Sequence, residues 1–257
     1  MSIALFAASE MEYHALRKVL ADWQPISPMA GYGSYKKAVI ELYCTGMGPQ
    51  NATAQATQIL ERSKAQHIVV GGFAGSLSLD LNCPDVVIYE KCGYWNGEQL
   101  ATITTDTYWT QRLLLGLKSS SLPLGTTLLG KGLTLPQVVC RATEKATLGQ
   151  LYQANAVDME SYQILQVAQE MGRMAAVIRV ISDDLTTDLP DLNAGLDGNG
   201  RPNNWRMAWV MAQQPRLAWR FLTNLHRATA QLQNVIRQAL DGITTEHKNN
   251  VNYRANH

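Results

Sequence analysis

No run of 18 apolar residues occurs in the 257-residue chain, so the sequence holds no membrane-spanning helix. Cysteine is scarce. Cys44, Cys83, Cys92 and Cys140 stand far apart, with no Cys-x-x-Cys pair and no histidine at zinc-finger spacing. That argues against a disulfide framework and against a structural zinc site, and makes a reducing cytoplasm the expected home. Charge is scarce as well: charged residues make up 17%, and 22 Lys and Arg against 21 Asp and Glu leave a net +1. Such a balance gives no overall electrostatic footprint for nucleic acid. Internal repeats and low-complexity tracts are absent. The opening SIALFAA has no basic stretch before it and runs at once into Glu10 and Glu12, so it reads as a buried first strand, not a secretion signal.

Apolar residues, in contrast, reach 46%, enough to fill a core at a length suited to one large α/β domain or two small ones. Strand-like apolar runs fall at 2–8, 38–44, 67–75, 84–90, 126–132 and 174–182, the last being the strongest. Helical spacing appears in EMEYHALRKVL, in NATAQATQILERSK and in SYQILQVAQEM, the last stopped by Gly172. Alternation of this kind predicts an α/β sheet with parallel pairs. Residues 189–204 form a Gly/Asn/Pro/Asp-rich connection, and the chain then reads as helix to about residue 240, restarting at Pro215. The organisation expected is an α/β domain over 1–188, a helical extension over 189–243 packed on it, and a polar tail over 244–257.

In open α/β sheets ligands gather beyond the carboxyl ends of the strands. Four segments stand at such ends: Ser9–Glu12, Gly46-Met47-Gly48, Gly72–Gly75 and Ser182-Asp183-Asp184. A fifth, Asp158-Met159-Glu160, lies where a short strand turns into a helix. Asp183 is either a helix cap or an acid whose desolvation suits proton donation. Glu160 either answers a helix dipole or offers two acceptors to a vicinal diol. Glu10 and Glu12 carry the same helix-start alternative, and only one of them can face a given pocket. Arg179, within a buried strand, reads as an internal ion-pair partner. None of the glycine-rich breaks matches a Walker or dinucleotide pattern.

AVDMES at 156–161 and VIRVISDD at 177–184 resemble signature segments of the nucleoside phosphorylase and nucleosidase superfamily, as do IALFAASEMEYHAL, GMGPQNA and GGFAGSLSLDLNCPDVVI. The resemblance implies a three-layer αβα sandwich around a twisted mixed sheet, assembled as a homodimer or larger homo-oligomer. It implies cleavage of the N-glycosidic bond of a purine nucleoside, adenine being the expected base, with no metal and no cofactor. Inorganic phosphate would be a co-substrate if the reaction is phosphorolysis. Carried onto this sequence, it makes Asp183 the acid at N7 of the departing purine and Glu12 the acid that positions an attacking water. Glu160 would hold the ribose hydroxyls and Met159 would pack beneath the sugar. Met47 would lie near the sugar, Phe73 at the nucleophile side, Ala74 and Gly75 on the base side, and Val138 or its neighbour Gln137 in the base pocket. Phe73 stands where hydrolytic members tend to have a small hydroxyl residue, and no phosphate-gripping basic residue adjoins the motifs.

Residues 198–240 hold six arginines and no Asp or Glu, with Trp205, Trp209 and Trp219 interleaved. A basic, Trp-bearing amphipathic helix suits an anionic membrane surface, and equally a solvated face on a helix packed against the sheet. LPDLNAGLDGNGR followed by Arg-rich helices resembles the hopanoid-associated phosphorylase branch, which implies an adenine nucleoside with a bulky 5′ substituent and a peripheral membrane contact through 201–240. The alternatives are a hydrolytic methylthioadenosine/S-adenosylhomocysteine nucleosidase, and a non-catalytic nucleoside-binding or membrane-peripheral protein. No nucleic-acid partner is expected.

Overall fold

The computed structural model describes residues 1–118, 126–197 and 203–244. Its elements follow in the order β1 (Ser2–Ala7), α1 (Glu10–Arg17), β2 (Ala21–Ser27), β3 (Ala30–Tyr35), β4 (Ala38–Cys44), α2 (Pro49–Arg62) and β5 (His67–Ser76). Next come β6 (Val86–Trp95), β7 (Leu100–Thr104), α3 (Thr107–Lys118), β8 (Thr127–Thr134), α4 (Ala142–Tyr152) and β9 (Ala156–Asp158). The chain continues with α5 (Ser161–Glu170), β10 (Met174–Asp183), a 3-10 turn (Leu192–Gly195), α6 (Asn204–Gln213) and α7 (Pro215–Thr244).

The strands form one mixed sheet in which β10 pairs with both β5 and β6, so that β5, β9, β8, β6 and β10 close into a ring. From that ring β1, β4, β3 and β2 extend as a flap. Its central strands are the runs that are apolar on both faces: Ile3–Ala7, Ile68–Val70 and Ala175–Ile178 are buried throughout. Helices α1, α3 and α7 pack on one face, and α2 meets α5 on the other. This is the three-layer α/β arrangement, with a C-terminal helix, that the resemblance implied.

α7 is long because it serves two environments. Its second half turns Ala228, Leu232, Val235, Ile236, Ala239, Leu240 and Ile243 into the main core at helical spacing. There Gly116 of α3 meets Gly242 of α7 so closely that a methyl group on either would run into the other's backbone. Its first half, with α6, is more open: Trp205, Trp209 and Trp219 are 89%, 68% and 75% exposed. Residues 198–202 of the Gly/Asn-rich connection, Arg201 among them, and 245–257 of the expected tail lie outside the described residues. Among the described residues no helix is long and apolar enough to cross a membrane.

β1 runs parallel to β4 and β5, and β5 runs parallel to β10, so their carboxyl ends open on one side. Ser9, Gly46, Gly75 and Asp183 therefore arrive at a common edge of the sheet.

Candidate active site

At the start of α1, Ser9 and Glu12 form a capping box. The Glu12 backbone N–H donates to Ser9 Oγ at 3.3 Å, and Glu12 Oε2 accepts the Ser9 N–H at 2.8 Å. Oε2 also accepts the Ala8 N–H at 2.9 Å, while Oε1 reaches across to β5 and accepts the Phe73 N–H at 2.6 Å. The helix-start role is thus real for Glu12, yet half of its carboxylate holds Phe73 of β5. Glu10 points to solvent. Gly72 makes the approach possible: a Cβ there would strike both the Glu12 carboxylate and the Arg179 guanidinium.

Arg179, 1% exposed, is the hub. Its Nε lies 3.2 Å from Asp158 Oδ2, NH2 3.7 Å from Glu160 Oε2, and NH1 3.8 Å from Glu12 Oε1. It also donates to Ser161 Oγ at 2.9 and 3.1 Å and to the Phe73 carbonyl at 3.4 Å. Burial works against its charge, but Asp158, Glu160 and Glu12 outweigh that and push the guanidinium up. Arg179 is the internal ion-pair partner its position in a buried strand required.

Glu160 stands at the N-cap position of α5, yet its side chain makes no cap bond; Asp158 Oδ1 does the capping, accepting the Glu160 and Ser161 N–H groups at 3.1 and 3.0 Å. The Glu160 carboxylate instead accepts the Gly48 N–H at 2.8 Å. Burial pushes this carboxyl up to about 8, with Arg179 pulling it down and Asp158 and Glu12 adding to the rise. Gly48, at φ +88°, adopts a backbone few other residues take, and Met159 packs beside it. Met47 is half-buried in the same turn, its carbonyl accepting from Asn51 Nδ2 at 2.8 Å.

Asp183 is buried opposite Gly75 in the β10–β5 ladder, and a Cβ on Gly75 would stand 2.9 Å from Asp183 Oδ2. Ser182 Oγ donates to Asp183 Oδ1 at 2.8 Å and to the Ala74 carbonyl at 3.4 Å. Neither Asp183 nor Asp184 caps a helix. Asp184 receives the Cys83 N–H at 2.7 Å and Arg220 at 3.2 Å, while Asp183 Oδ2 forms an ion pair with Lys145 of α4. Val138 lies farther along this edge. Its N–H and C=O are both engaged by one side chain, donating to Asn193 Oδ1 at 3.0 Å and accepting from Asn193 Nδ2 at 2.8 Å.

Glu12, Phe73 and Glu160 thus meet around Arg179, Met159 and Met47 flank the Gly48 turn beside Glu160, and Asp183 joins Ala74 and Gly75 two residues further along β5. The Val138 backbone bonds to Asn193 of the 3-10 turn and to Cys140 Sγ, not to this group. Sequence reasoning gave no role to Lys145, Asp158 or Asn193. Asp158 carried a signal, being an acid two residues before a helix N-cap; Lys145 carried none. Among the described residues no group of three or more His, Cys, Asp or Glu side chains is placed to hold a metal ion.

Residues 2–240 match the sequence profile of the phosphorylase superfamily. The chain belongs to that superfamily. Two curated relatives in it are the aminodeoxyfutalosine nucleosidase of Campylobacter jejuni, 22% identical over 200 residues, and the 5′-methylthioadenosine/S-adenosylhomocysteine nucleosidase of Haemophilus ducreyi, 26% identical over 198. Each alignment covers 71% of this chain, and 86% and 85% of the respective relative. The futalosine hydrolase of Helicobacter pylori superposes with a TM-score of 0.72 at 17% identity, covering 94% of this chain and 97% of that one. The central mixed sheet with its flanking helices matches the fold of that superfamily's nucleosidases.

Proposed function

We propose that the chain is an enzyme that cleaves the N-glycosidic bond of an adenine nucleoside. One observation carries this reading: three acids remote in sequence, Glu12 after β1, Glu160 after β9 and Asp183 at the end of β10, are brought beside β5, two of them on a single buried guanidinium and the third opposite Gly75. Breaking such a bond needs an acid for the departing base, an anionic grip on a ribosyl group that becomes cation-like, and a nucleophile on the opposite face. Asp183 serves the base at N7, Glu160 the two ribose hydroxyls, and Glu12 the nucleophile, with Met47, Met159 and Phe73 against the sugar and Ala74, Gly75 and Val138 toward the base.

Water is the nucleophile this geometry favours. The buried cations among the described residues are Arg179 and Lys145, and both are committed to carboxylates, which leaves no such cation to grip phosphate. Both curated relatives reported above are named nucleosidases. The test is to incubate the purified protein with adenosine, methylthioadenosine and adenosylhopane, with and without phosphate, and to measure free adenine. Adenine release independent of phosphate is expected. It should also be faster at pH 9 than at pH 7, because Glu160 with a carboxyl near 8 is protonated at the lower pH and then offers the diol a donor where an acceptor is needed. No adenine from any substrate at either pH would leave the chain a binding protein.

A second reading, phosphorolysis of a hopanoid nucleoside, has its own support. Phe73 stands where the resemblance to hydrolytic members implies a small hydroxyl residue, and the α6–α7 face shows three exposed tryptophans along with Arg206, Arg216 and Arg220. Each tryptophan can bury about 150–250 Å² in a lipid interface, where the arginines would meet anionic headgroups. Phosphate-dependent adenine release from adenosylhopane alone would select this reading. The membrane contact is checked by flotation with phosphatidylglycerol vesicles: the intact protein should float, and Trp205→Ser/Trp209→Ser/Trp219→Ser should not. Equal behaviour of the two would remove the contact. Deleting 200–257 is no substitute, since it strips Leu232, Val235, Ile236 and Leu240 from the core.

A further inference from the structure

Lys145 is a buried charged side chain on Asp183 that the proposed chemistry leaves without a task. It is the only buried residue of α4, fully enclosed, and it has three oxygens for the three N–H bonds of an ammonium: Asp183 Oδ2, the Asp184 carbonyl at 3.1 Å and the Thr187 carbonyl at 3.3 Å. The two carbonyls fix Nζ to the loop that follows β10, so the ammonium is held on Asp183 and not merely near it. On its other oxygen Asp183 accepts from Ser182. An acid so enclosed gives up a proton in every turnover and must take one back from a neighbour or from water.

We propose that Lys145 is that neighbour, a positioning residue that supplies the proton Asp183 delivers to the departing base. The inference rests on the reading of Asp183 as the acid at N7. As the C1′–N9 bond breaks, its electron pair passes into the purine. N7 takes a proton from Asp183 while Asp183 takes one from Nζ, leaving a neutral purine and an amine beside a carboxylate. Positive charge has moved from Nζ to the ribosyl group, where the nucleophile meets it. Once the base has left, solvent returns the proton through Asp183.

The other ionisable groups facing the pair have occupations of their own. Asp184 is paired with Arg220, and Asp188 with Arg141 at 3.2 Å. Burial pushes the Cys83 thiol up to about 12 and the Cys140 thiol upward as well, so neither offers a proton in the working range.

Lys145→Gln tests this, because its amide can still donate to Asp183 but has no proton to give up. At pH 8 adenine release by Lys145→Gln should fall about 100-fold relative to wild type. The ratio of variant to wild type should climb toward one at pH 5, where solvent protons reach Asp183 directly. Lys145→Arg is the companion should the Gln variant fold poorly: it keeps charge and donors, cannot release a proton, and should show the same loss and the same recovery in acid. Unchanged release at pH 8, or a loss of equal size at every pH as a purely structural lesion gives, overturns the role of Lys145. Wild-type protein that releases no adenine at all would sink the proposed function instead.

Discussion

Asp183→Asn is expected to lower adenine release by about 10³-fold, within the range general acid assistance supplies, while leaving the fold intact. The substitution keeps size and shape at a buried strand end. The new amide oxygen can accept from Lys145, and the amide nitrogen can donate to Ser182, whose hydroxyl has an oxygen free to reverse its role. What disappears is the transferable proton. The loss should therefore fall on kcat with KM little changed, and the melting temperature should also fall, because the enclosed Lys145 ammonium loses its counter-charge. Near-normal kcat would remove Asp183 from the chemistry, and with it the assignment of Lys145. A fall in melting temperature with kcat unchanged would instead mark the Asp183–Lys145 pair as structural.

The contrast between Asp183 and Lys145 shows what this sequence makes readable. Asp183, Glu12 and Glu160 stand out because each interrupts or directly follows a stretch whose apolar pattern is strong, and a carboxylate at the end of a fully buried strand calls for a reason. Strands β1, β5 and β10 are legible for the same cause: buried on both faces, they are near-continuous apolar runs, while β4 is legible by its alternation of buried Ala38, Ile40 and Leu42 with more open positions. β2 and β3 are not legible. ADWQPIS carries Pro25 and is exposed along nearly its whole length, and AGYGSY carries two glycines on which Trp23 lies. α3 and α4 also escape periodicity. In TYWTQRLLLGLK three consecutive leucines blur the stripe, and α4 inverts the usual pattern, since the one side chain it buries is a lysine. A helix whose inward face is charged gives no hydrophobic signal, so the partner of the proposed acid becomes visible only when β10 and α4 are brought together.

Arg179→Met is expected to be the most damaging single change to stability, at about 3–5 kcal/mol, the usual result of removing one member of a buried charge cluster. Methionine fills much of the aliphatic volume, so the loss is electrostatic in origin. Glu12, Asp158 and Glu160 would be left buried around an empty position, and Ser161 Oγ and the Phe73 carbonyl would lose their donor. Arg179 is the charge that pulls the raised Glu160 carboxyl down, so its removal moves that carboxyl further above the unfolded value. An acid in that condition binds more protons folded than unfolded, and the stability of the variant must then fall as pH rises. Urea denaturation should accordingly find the deficit smaller at pH 7 than at pH 10, since below about 8 the carboxyl is protonated in the wild-type fold as well. A deficit independent of pH would mean that the three acids are not sharing one cation, and the geometry on which the proposed ribose grip depends would go with it.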